Sequence, residues 1–174
     1  VVATASGGTG IALSSQNYGT DATISVDVLS GDQDFTSGGD VSTITGTDAV
    51  GGSRYVMVGK SPLTGTWGDA NSGGDAGPYL KFAGYDALAV TGKSDSPVYL
   101  YIRDGKTEIK NATDLWGLTT FDTQDKLTGE LGKNVSVLTI GPAAENLVVF
   151  ATALADRGAS ASGGMGSIMG SKNL

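Results

Sequence analysis

Two stretches of the chain are rich in the residue types that line ligand-binding loops. Residues 54–86 and 141–174 are dense with glycine, hydroxyl and amide residues. Glycine lets a backbone approach a ligand closely, and its bare N–H groups can bind anions. The two stretches therefore predict a surface shaped for a large phosphorylated ligand.

Single residues in these stretches allow more than one interpretation. Arg54 follows Gly-Gly-Ser and, by itself, is most simply a solvated arginine at the start of a strand. Asn71 is either a left-handed turn residue or an amide-oxygen ligand for a hard cation such as Mg²⁺. Asp69 and Asp75 form either a carboxylate pair or two turn caps, and caps are favoured. The simplest interpretation places two lysines on the surface and two tryptophans in core or edge packing, namely Lys60, Lys172, Trp67 and Trp116.

The last stretch matches neither common nucleotide-binding pattern. Gly164, Gly166 and Gly170 miss the dinucleotide spacing by one residue, and the segment follows a predicted helix instead of a strand. A serine separates Gly170 from Lys172, whereas a P-loop has glycine directly before its lysine. The tail therefore predicts no nucleotide site.

The composition excludes several kinds of chemistry. Neither cysteine nor histidine occurs among the 174 residues, which excludes disulfides, thiolate nucleophiles, cysteine-bound clusters and the Ser–His–Asp triad. The formal charge of −7 argues against nucleic acid and anionic membranes as partners. No apolar run approaches the ~20 residues of a membrane span, and we see no signal peptide. We expect no catalysis by this chain alone.

The distribution of charge predicts a boundary near residue 50. Residues 1–50 contain six Asp and no Lys or Arg, whereas residues 51–174 contain 12 acidic and 11 basic side chains. So abrupt a shift is typical of a domain boundary, although one domain with an acidic edge would also show it. We predict an acidic β-hairpin segment over residues 1–50 and a second domain over residues 51–174.

Residue patterns predict a fold of the α+β class that is mainly β. In the acidic segment, paired strands are predicted at residues 11–13 and 24–28, with a weak third at 41–45. In the second domain, strands are predicted at residues 55–58, 80–82, 87–91, 98–103 and 135–140, and two helices at 119–131 and 143–157. The Asp104-Gly105 pair predicts a hairpin turn.

The acidic segment resembles a structural family. Residues 10–19, 24–31 and 46–50 carry the similarity. They look like the variable outer domain of large bacterial flagellins. That resemblance implies a surface-displayed structural role for this part of the chain.

A second resemblance covers residues 51–174. It is carried by Arg-Tyr (54–55), Lys-Ser-Pro-Leu-Thr-Gly (60–65), Asn-Ser-Gly-Gly (71–74), Leu-Lys-Phe-Ala-Gly-Tyr-Asp (80–86), residues 93–99, Leu-Trp-Gly (115–117), Ile-Gly-Pro-Ala (140–143), Glu-Asn-Leu (145–147) and Met-Gly-Ser-Lys-Asn-Leu (169–174). These segments, in this order, resemble the N-terminal domain of the aldehyde:ferredoxin oxidoreductase family. The members of that family are tungsten or molybdenum bis-pterin enzymes.

The resemblance implies two facing β-sheets that form a base under the metal cofactor. In that family Mg²⁺ bridges the phosphates of the pterins. Arg54 matches the family's phosphate-contacting arginine, Asn71 matches the Mg²⁺-binding asparagine, and Gly73 follows in the same loop. Ser160 occupies the place whose carbonyl oxygen would reach the Mg²⁺. The resemblance thus implies four cofactor-binding residues, of which Asn71 and Ser160 bind the metal ion.

The chain also departs from the family pattern. The family's Arg-Ala-Ala-Gly-Arg-Gly-Gly loop is Gly-Ala-Ser-Ala-Ser-Gly-Gly at residues 158–164, without an arginine. The acidic hairpins replace the family's glycine-rich opening segment. We expect the later domains, which bring the cluster cysteines and the catalytic acid/base residues, to be absent. We therefore expect an incomplete cofactor-base domain that is inactive alone.

Two functions from different classes remain open. In the first, the chain is part of a cytoplasmic oxidoreductase that converts aldehydes to carboxylates and passes electrons to ferredoxin. Its partners would be the pterin cofactor and the remaining oxidoreductase domains. In the second, the chain is an extracellular domain of a flagellin-like filament or homo-oligomer that carries an enzyme-derived module. A third origin, an artificial fusion, and the question whether this chain alone binds any cofactor also remain open.

Overall fold

The computed structural model of the protein describes residues 54–174 in full and the backbone of three earlier strands. These strands are β1 (Val2–Ala5), β2 (Ile11–Ser14) and β3 (Ser25–Leu29). The strands predicted at residues 11–13 and 24–28 are therefore confirmed. Their mutual pairing is wrong, because β2 pairs with β1 and β3 pairs with a strand much later in the chain. The predicted strand at residues 41–45 lies outside the described residues.

Residues 54–174 form eight strands and four helices. In chain order they are β4 (Tyr55–Lys60), β5 (Trp67–Ser72), α1 (Ala76–Phe82), β6 (Ala87–Thr91), β7 (Val98–Arg103), β8 (Lys106–Asn111), α2 (Thr120–Leu131), β9 (Leu138–Thr139), α3 (Pro142–Glu145), β10 (Ala153–Ala155), β11 (Ala159–Ala161) and α4 (Met165–Ser171). The mixture of helices and strands is as predicted, but this part of the chain has four helices instead of two. In the described parts of the chain, no helix has the length and apolar character that crossing a membrane requires.

The sheets are small, and every described strand pair is antiparallel. β4 pairs with β5 and β7 with β8, while β10 lies between β9 and β11. β3 pairs with β6, with Val26 opposite Val90. Two facing sheets, which the family resemblance implies, stay a prediction.

The hairpin turn predicted at Asp104-Gly105 is confirmed. The two residues connect β7 to β8 and have φ angles of +50° and +71°. Such angles match the twist of the flanking strands in a two-residue hairpin. Aspartate and glycine are among the residues that adopt them most readily.

The helix predicted at residues 119–131 is confirmed as α2. The Thr119 hydroxyl accepts a hydrogen bond from the Asp122 N–H at 3.2 Å, which caps the first turn. Gly132, with a φ of +94°, follows the last residue of the helix. Leu127 is buried, as the apolar pattern predicts, whereas Phe121 stays exposed beneath the Arg157 guanidinium.

Residues 80–82 were predicted as a strand, and that prediction is wrong because they belong to α1. The Asp75 carbonyl accepts the Tyr79 N–H at 2.9 Å and so opens the helix. The rings of Tyr79 and Phe82, three residues apart, then meet edge to face with centroids 5.9 Å apart. In a strand, by contrast, residues three apart face opposite sides.

The helix predicted at residues 143–157 is also wrong, since α3 is a single turn. Leu147 has a φ of +57°, which ends the helix. The Glu145 carboxylate accepts the Gly117 N–H at 2.9 Å, which holds the turn against another segment. β10 then pairs with both β9 and β11, so sheet pairing overrides the amphipathic pattern.

The core consists mainly of small side chains. Ala153, Ala155 and Ala161 of the three-stranded sheet are completely buried, and Met165 of α4 packs with them. Tyr55, from the β4–β5 hairpin, joins the same cluster. Because alanines bring backbones close together, the hairpin, the three-stranded sheet and α4 form one tightly packed unit.

Two glycines let α4 lie directly on the backbone of residues 144–152. A Cβ atom on Gly170 would come within 2.7 Å of the Ala144 carbonyl carbon, and one on Gly166 within 2.6 Å of the Thr152 carbonyl carbon. The Gly166 N–H donates to the Ala151 carbonyl at 3.0 Å. There is consequently no space for a side chain at either position.

The segment after α4 is tied to the loop between β6 and β7. The Ser94 N–H donates to the Lys172 carbonyl at 3.0 Å, and the Val98 N–H donates to the Asn173 carbonyl at 2.8 Å. The Lys172 ammonium donates to the Gly92 carbonyl at 2.8 Å. Burial lowers the pKa of Lys172, so this residue is not the simple surface lysine that we predicted.

Candidate functional site

The β4–β5 hairpin has one buried face and one solvent face. Its register places Tyr55 opposite Ser72 and Val56 opposite Asn71. Tyr55 and Ser72 are only 4% and 3% exposed, and Ala70 is buried with them. Because side chains alternate along a strand, Val56 and Asn71 belong to the opposite, outer face.

Three of the predicted site residues lie together at the open end of this outer face. Tyr55 and Ser72 are the last opposing pair of the hairpin, Arg54 directly precedes the first of them, and Gly73 directly follows the second. Asn71 lies opposite Val56 on the outer face, two residues before Gly73. Arg54 and Asn71 are exposed, and Gly73 is half-buried. The hairpin thus brings a guanidinium, an amide and a bare backbone position together.

The fourth predicted residue, Ser160, lies on a strand that packs beside β5. A Cβ atom on Gly74 would lie 3.0 Å from the Ala159 Cβ, and one on Gly163 would lie 3.7 Å from the Asp69 carbonyl oxygen. These two contacts place β11 alongside the end of β5. Ser160 is exposed between half-buried Ala159 and buried Ala161. It therefore faces solvent next to the loop that contains Gly73.

The chemistry of this group of residues suits a phosphate and a hard cation. Arg54 offers a fixed fork of donors, which matches phosphate oxygens. The side-chain oxygen of Asn71 and the carbonyl oxygen of Ser160 are donors of the type that Mg²⁺ accepts. Asp69 lies two residues before Asn71 on the same outer face and adds a negative charge that favours a cation.

Several interpretations of single residues are now decided. Asn71 is a strand residue of β5 and not a left-handed turn residue. Asp69 also lies inside β5, and Asp75 precedes α1 without a side-chain capping bond, so both cap predictions are wrong. Trp67 is 69% exposed and therefore not a core residue, whereas Trp116 packs against the core as predicted.

The tail also differs from its predicted context. It follows the strand β11 and not a helix, so this part of the argument against a dinucleotide site is wrong. The spacing argument does not depend on that context. Gly164 and Gly170 instead allow close packing, since a Cβ atom on Gly164 would lie 2.6 Å from the Pro62 Cγ.

The sequence analysis did not identify Asp156, whose carboxylate holds segments together on the inner side of the site. We assigned it to a helix, but it lies in the turn between β10 and β11 with a φ of +48°. Its carboxylate accepts hydrogen bonds from the N–H groups of Asp75 and Val137 and from the Ser136 hydroxyl. The Asp-Arg-Gly sequence at residues 156–158 is a turn signal that could have revealed it.

The buried face of the hairpin contains a tyrosine with a perturbed pKa. Burial raises the pKa of the Tyr55 hydroxyl, and the Asp156 carboxylate adds to the rise, while the nearby Ser72 hydroxyl lowers it. Neither hydroxyl reaches a partner with normal hydrogen-bond geometry. The environment therefore favours the neutral form of Tyr55.

We expect Tyr55→Phe to make the protein less sensitive to alkaline pH. A raised folded pKa gives stability that is present below the unfolded value of ~10 and is lost as the pH rises through the folded value. Phenylalanine removes this loss and also removes a buried hydroxyl without a partner, so stability at pH 7 should change little. Urea unfolding between pH 8 and pH 11 measures the slope.

The control for this variant is Tyr79→Phe, which removes a hydroxyl from α1, outside the core cluster. It should leave the alkaline loss of stability as in the unmodified protein. Equal slopes for Tyr55→Phe and the unmodified protein would show that Tyr55 does not cause the loss.

Residues 2–174 match the family model described as the N-terminal domain of aldehyde ferredoxin oxidoreductase. The tungsten-containing aldehyde ferredoxin oxidoreductase of Pyrococcus furiosus is 50% identical over 133 residues, which are 75% of this chain and 22% of that protein. The aliphatic sulfonate oxidoreductase, WOR-like subunit, of the same organism is 35% identical and covers 71% of this chain and 22% of that protein. The chain thus spans 22% of the length of these relatives.

A solved structure is similar in both fold and sequence. It is the active site complex BamBC of benzoyl coenzyme A reductase, in complex with 1,5-dienoyl-CoA. The match has a TM-score of 0.65 and 40% identity, and it covers 70% of this chain and 19% of that chain. The likeness therefore extends beyond the overall fold to the sequence.

These matches also bear on the first 50 residues. The family match begins at residue 2, so it includes the segment that the charge distribution sets apart. The pairing of β3 with β6 likewise joins that segment to the later part of the chain. None of the matches described above supports the flagellin resemblance, and the domain boundary near residue 50 stays a prediction.

Proposed function

Because the chain belongs to the aldehyde ferredoxin oxidoreductase family, through the N-terminal domain of that family, we propose that it forms the base of a tungsten–pterin site. The outer face of the β4–β5 hairpin and the neighbouring β11 form this base. They bind the phosphate end of the pterin cofactor together with a Mg²⁺ ion. Molybdenum is the alternative metal of the cofactor.

Four residues bind the phosphate group and the Mg²⁺ ion. Arg54 donates its guanidinium N–H groups to phosphate oxygens, and Gly73 lets the backbone approach the same group. Asn71 and Ser160 provide a side-chain oxygen and a carbonyl oxygen to Mg²⁺. The observation that supports the proposal is the register of the hairpin, which ends at the Tyr55–Ser72 pair. Arg54 and Gly73 are the direct chain neighbours of this pair.

The cofactor supplies the redox chemistry, which in this family oxidises an aldehyde to a carboxylate. This chain's residues only hold and orient the phosphate end. Because the chain contains no cysteine, we propose that other domains or subunits bind the iron–sulfur cluster and pass electrons to ferredoxin. We further propose that the chain is inactive alone and works in the cytoplasm.

Metal and pterin analysis of the purified chain tests this function. The protein is expressed in a host that synthesises tungstopterin, and its tungsten, molybdenum and magnesium are measured by mass spectrometry. Oxidised pterin is measured by fluorescence in the same sample. We expect near-stoichiometric tungsten or molybdenum, together with pterin. If the unmodified protein contains neither metal nor pterin, and so does not differ from an Arg54→Ala control, the proposed function is wrong. Only shared ancestry with the family would then remain.

A further inference from the structure

One carboxylate connects three segments that are distant in sequence. The Asp156 Oδ2 atom accepts the Asp75 N–H at 2.9 Å, and its Oδ1 atom accepts the Val137 N–H at 3.2 Å. The Ser136 hydroxyl lies 2.7 Å from Oδ2 and 2.9 Å from Oδ1. The neighbouring Arg157 forms its ion pair with Asp125. Backbone N–H groups and a hydroxyl group thus stabilise the negative charge of Asp156.

Two of these segments hold residues of the proposed cofactor base. Asp75 follows Gly73 and Gly74 directly, so its N–H group fixes the end of the glycine turn. A Cβ atom on Gly74 would lie 3.4 Å from the Asp156 Oδ2, which shows how closely the turn packs on this carboxylate. Ser160 follows in β11, on the other side of the Asp156 turn. Asp156 therefore lies between the two halves of the base.

We propose that Asp156 is a positioning residue that sets the spacing between the Gly73 turn and the Ser160 carbonyl. This inference rests on the proposed function. The Asp75 N–H, the Val137 N–H and the Ser136 hydroxyl all need acceptors, which two carboxylate oxygens supply. An asparagine has only one oxygen, and its NH₂ group would face a donor. Asp156→Asn therefore keeps the size of the side chain but breaks the hydrogen bonds that connect the three segments.

Amide hydrogen exchange of the protein without ligand tests the local part of the inference. In Asp156→Asn we expect the Asp75 amide to exchange about 10-fold faster or more, since hydrogen bonds to charged groups are among the stronger ones. The amides of β7 and β8, which lie elsewhere, should keep their rates. Ser136→Ala is the matched control, because it removes a donor to Asp156 but leaves both N–H bonds in place.

Faster exchange at every amide, including those of β7 and β8, would indicate general destabilisation and overturn the inference. An unchanged rate at Asp75 would also overturn it. If Asp156→Asn does not fold, Asp75→Pro is the second variant, which removes the N–H donor together with the Asp75 carboxylate. The φ of Asp75 is −94°, which lies within about 30° of the proline value. This second variant should then bind magnesium pyrophosphate more weakly than the unmodified protein.

Binding of magnesium pyrophosphate, followed by NMR at Arg54, Asn71 and Gly73, tests the functional part. We expect Asp156→Asn to weaken binding about 10-fold, because a loosened turn must be ordered on binding, while Ser136→Ala binds like the unmodified protein. Equal affinity of Asp156→Asn and the unmodified protein would overturn this inference alone. No binding by the unmodified protein would overturn the proposed function, and with it this inference.

Discussion

Gly170→Ala is expected to destabilise the protein by about 3 kcal/mol, the upper end of the usual cost of overpacking. The added Cβ atom would come within 2.7 Å of the Ala144 carbonyl carbon, and backbone cannot move aside as a flexible side chain can. Urea unfolding followed by tryptophan fluorescence measures the difference in the free energy of unfolding.

Gly129→Ala is the matched control for this prediction. Gly129 lies within α2, and a Cβ atom there would meet no other atom within 4 Å. Since alanine favours a helix interior over glycine by roughly 0.5–1 kcal/mol, this variant should be as stable as the unmodified protein or more so. A Gly170→Ala protein as stable as Gly129→Ala would show that α4 does not lie on the backbone of α3.

Arg54→Ala is expected to weaken the binding of magnesium pyrophosphate by about 10- to 100-fold, the range for a lost charge-assisted pair. The affinity of Arg54→Lys should lie between those of Arg54→Ala and the unmodified protein, because lysine keeps the charge but not the bidentate fork. Isothermal titration calorimetry of the three proteins at one salt concentration measures the affinities.

Lys60→Ala separates a specific site from general attraction by charge. Lys60 is exposed on the outer face of the hairpin, at the end opposite to Arg54, and faces Trp67. Lys60→Ala changes the net charge by the same amount as Arg54→Ala. It should alter the affinity for magnesium pyrophosphate less than about 2-fold at moderate salt. Equal losses for Lys60→Ala and Arg54→Ala would mean that charge alone attracts the ligand.

Local sequence signals were sufficient for the elements that depend on near neighbours. The cap at Thr119 and the stop at Gly132 define α2, and the Asp104-Gly105 turn defines the β7–β8 hairpin. Strand alternation likewise places Val56 and Asn71 on one face, provided that the hairpin register is known. The family resemblance supplied the roles of Arg54 and Asn71, and the binding of a cofactor by these residues stays a prediction.

Where distant segments decide the structure, the sequence was insufficient. Residues 143–157 have a helical pattern, yet β10 pairs with two strands and Leu147 adopts a left-handed conformation. The Asp-Arg-Gly signal could place Asp156 in a turn, but it could not identify the hydrogen-bond partners Asp75 and Ser136, which lie far away along the chain. Local propensity is a weak guide wherever tertiary pairing supplies the hydrogen bonds.

The bonds from Lys172 and Asn173 to the loop between β6 and β7 have a consequence for biosynthesis. At roughly 5–20 residues per second, that loop leaves the ribosome several seconds before its partners are translated. During this interval the Ser94 and Val98 amides cannot reach their final acceptors. We expect a protease to cleave this loop more readily in a nascent chain stalled before residue 172 than in one that extends far enough for residue 173 to leave the ribosome.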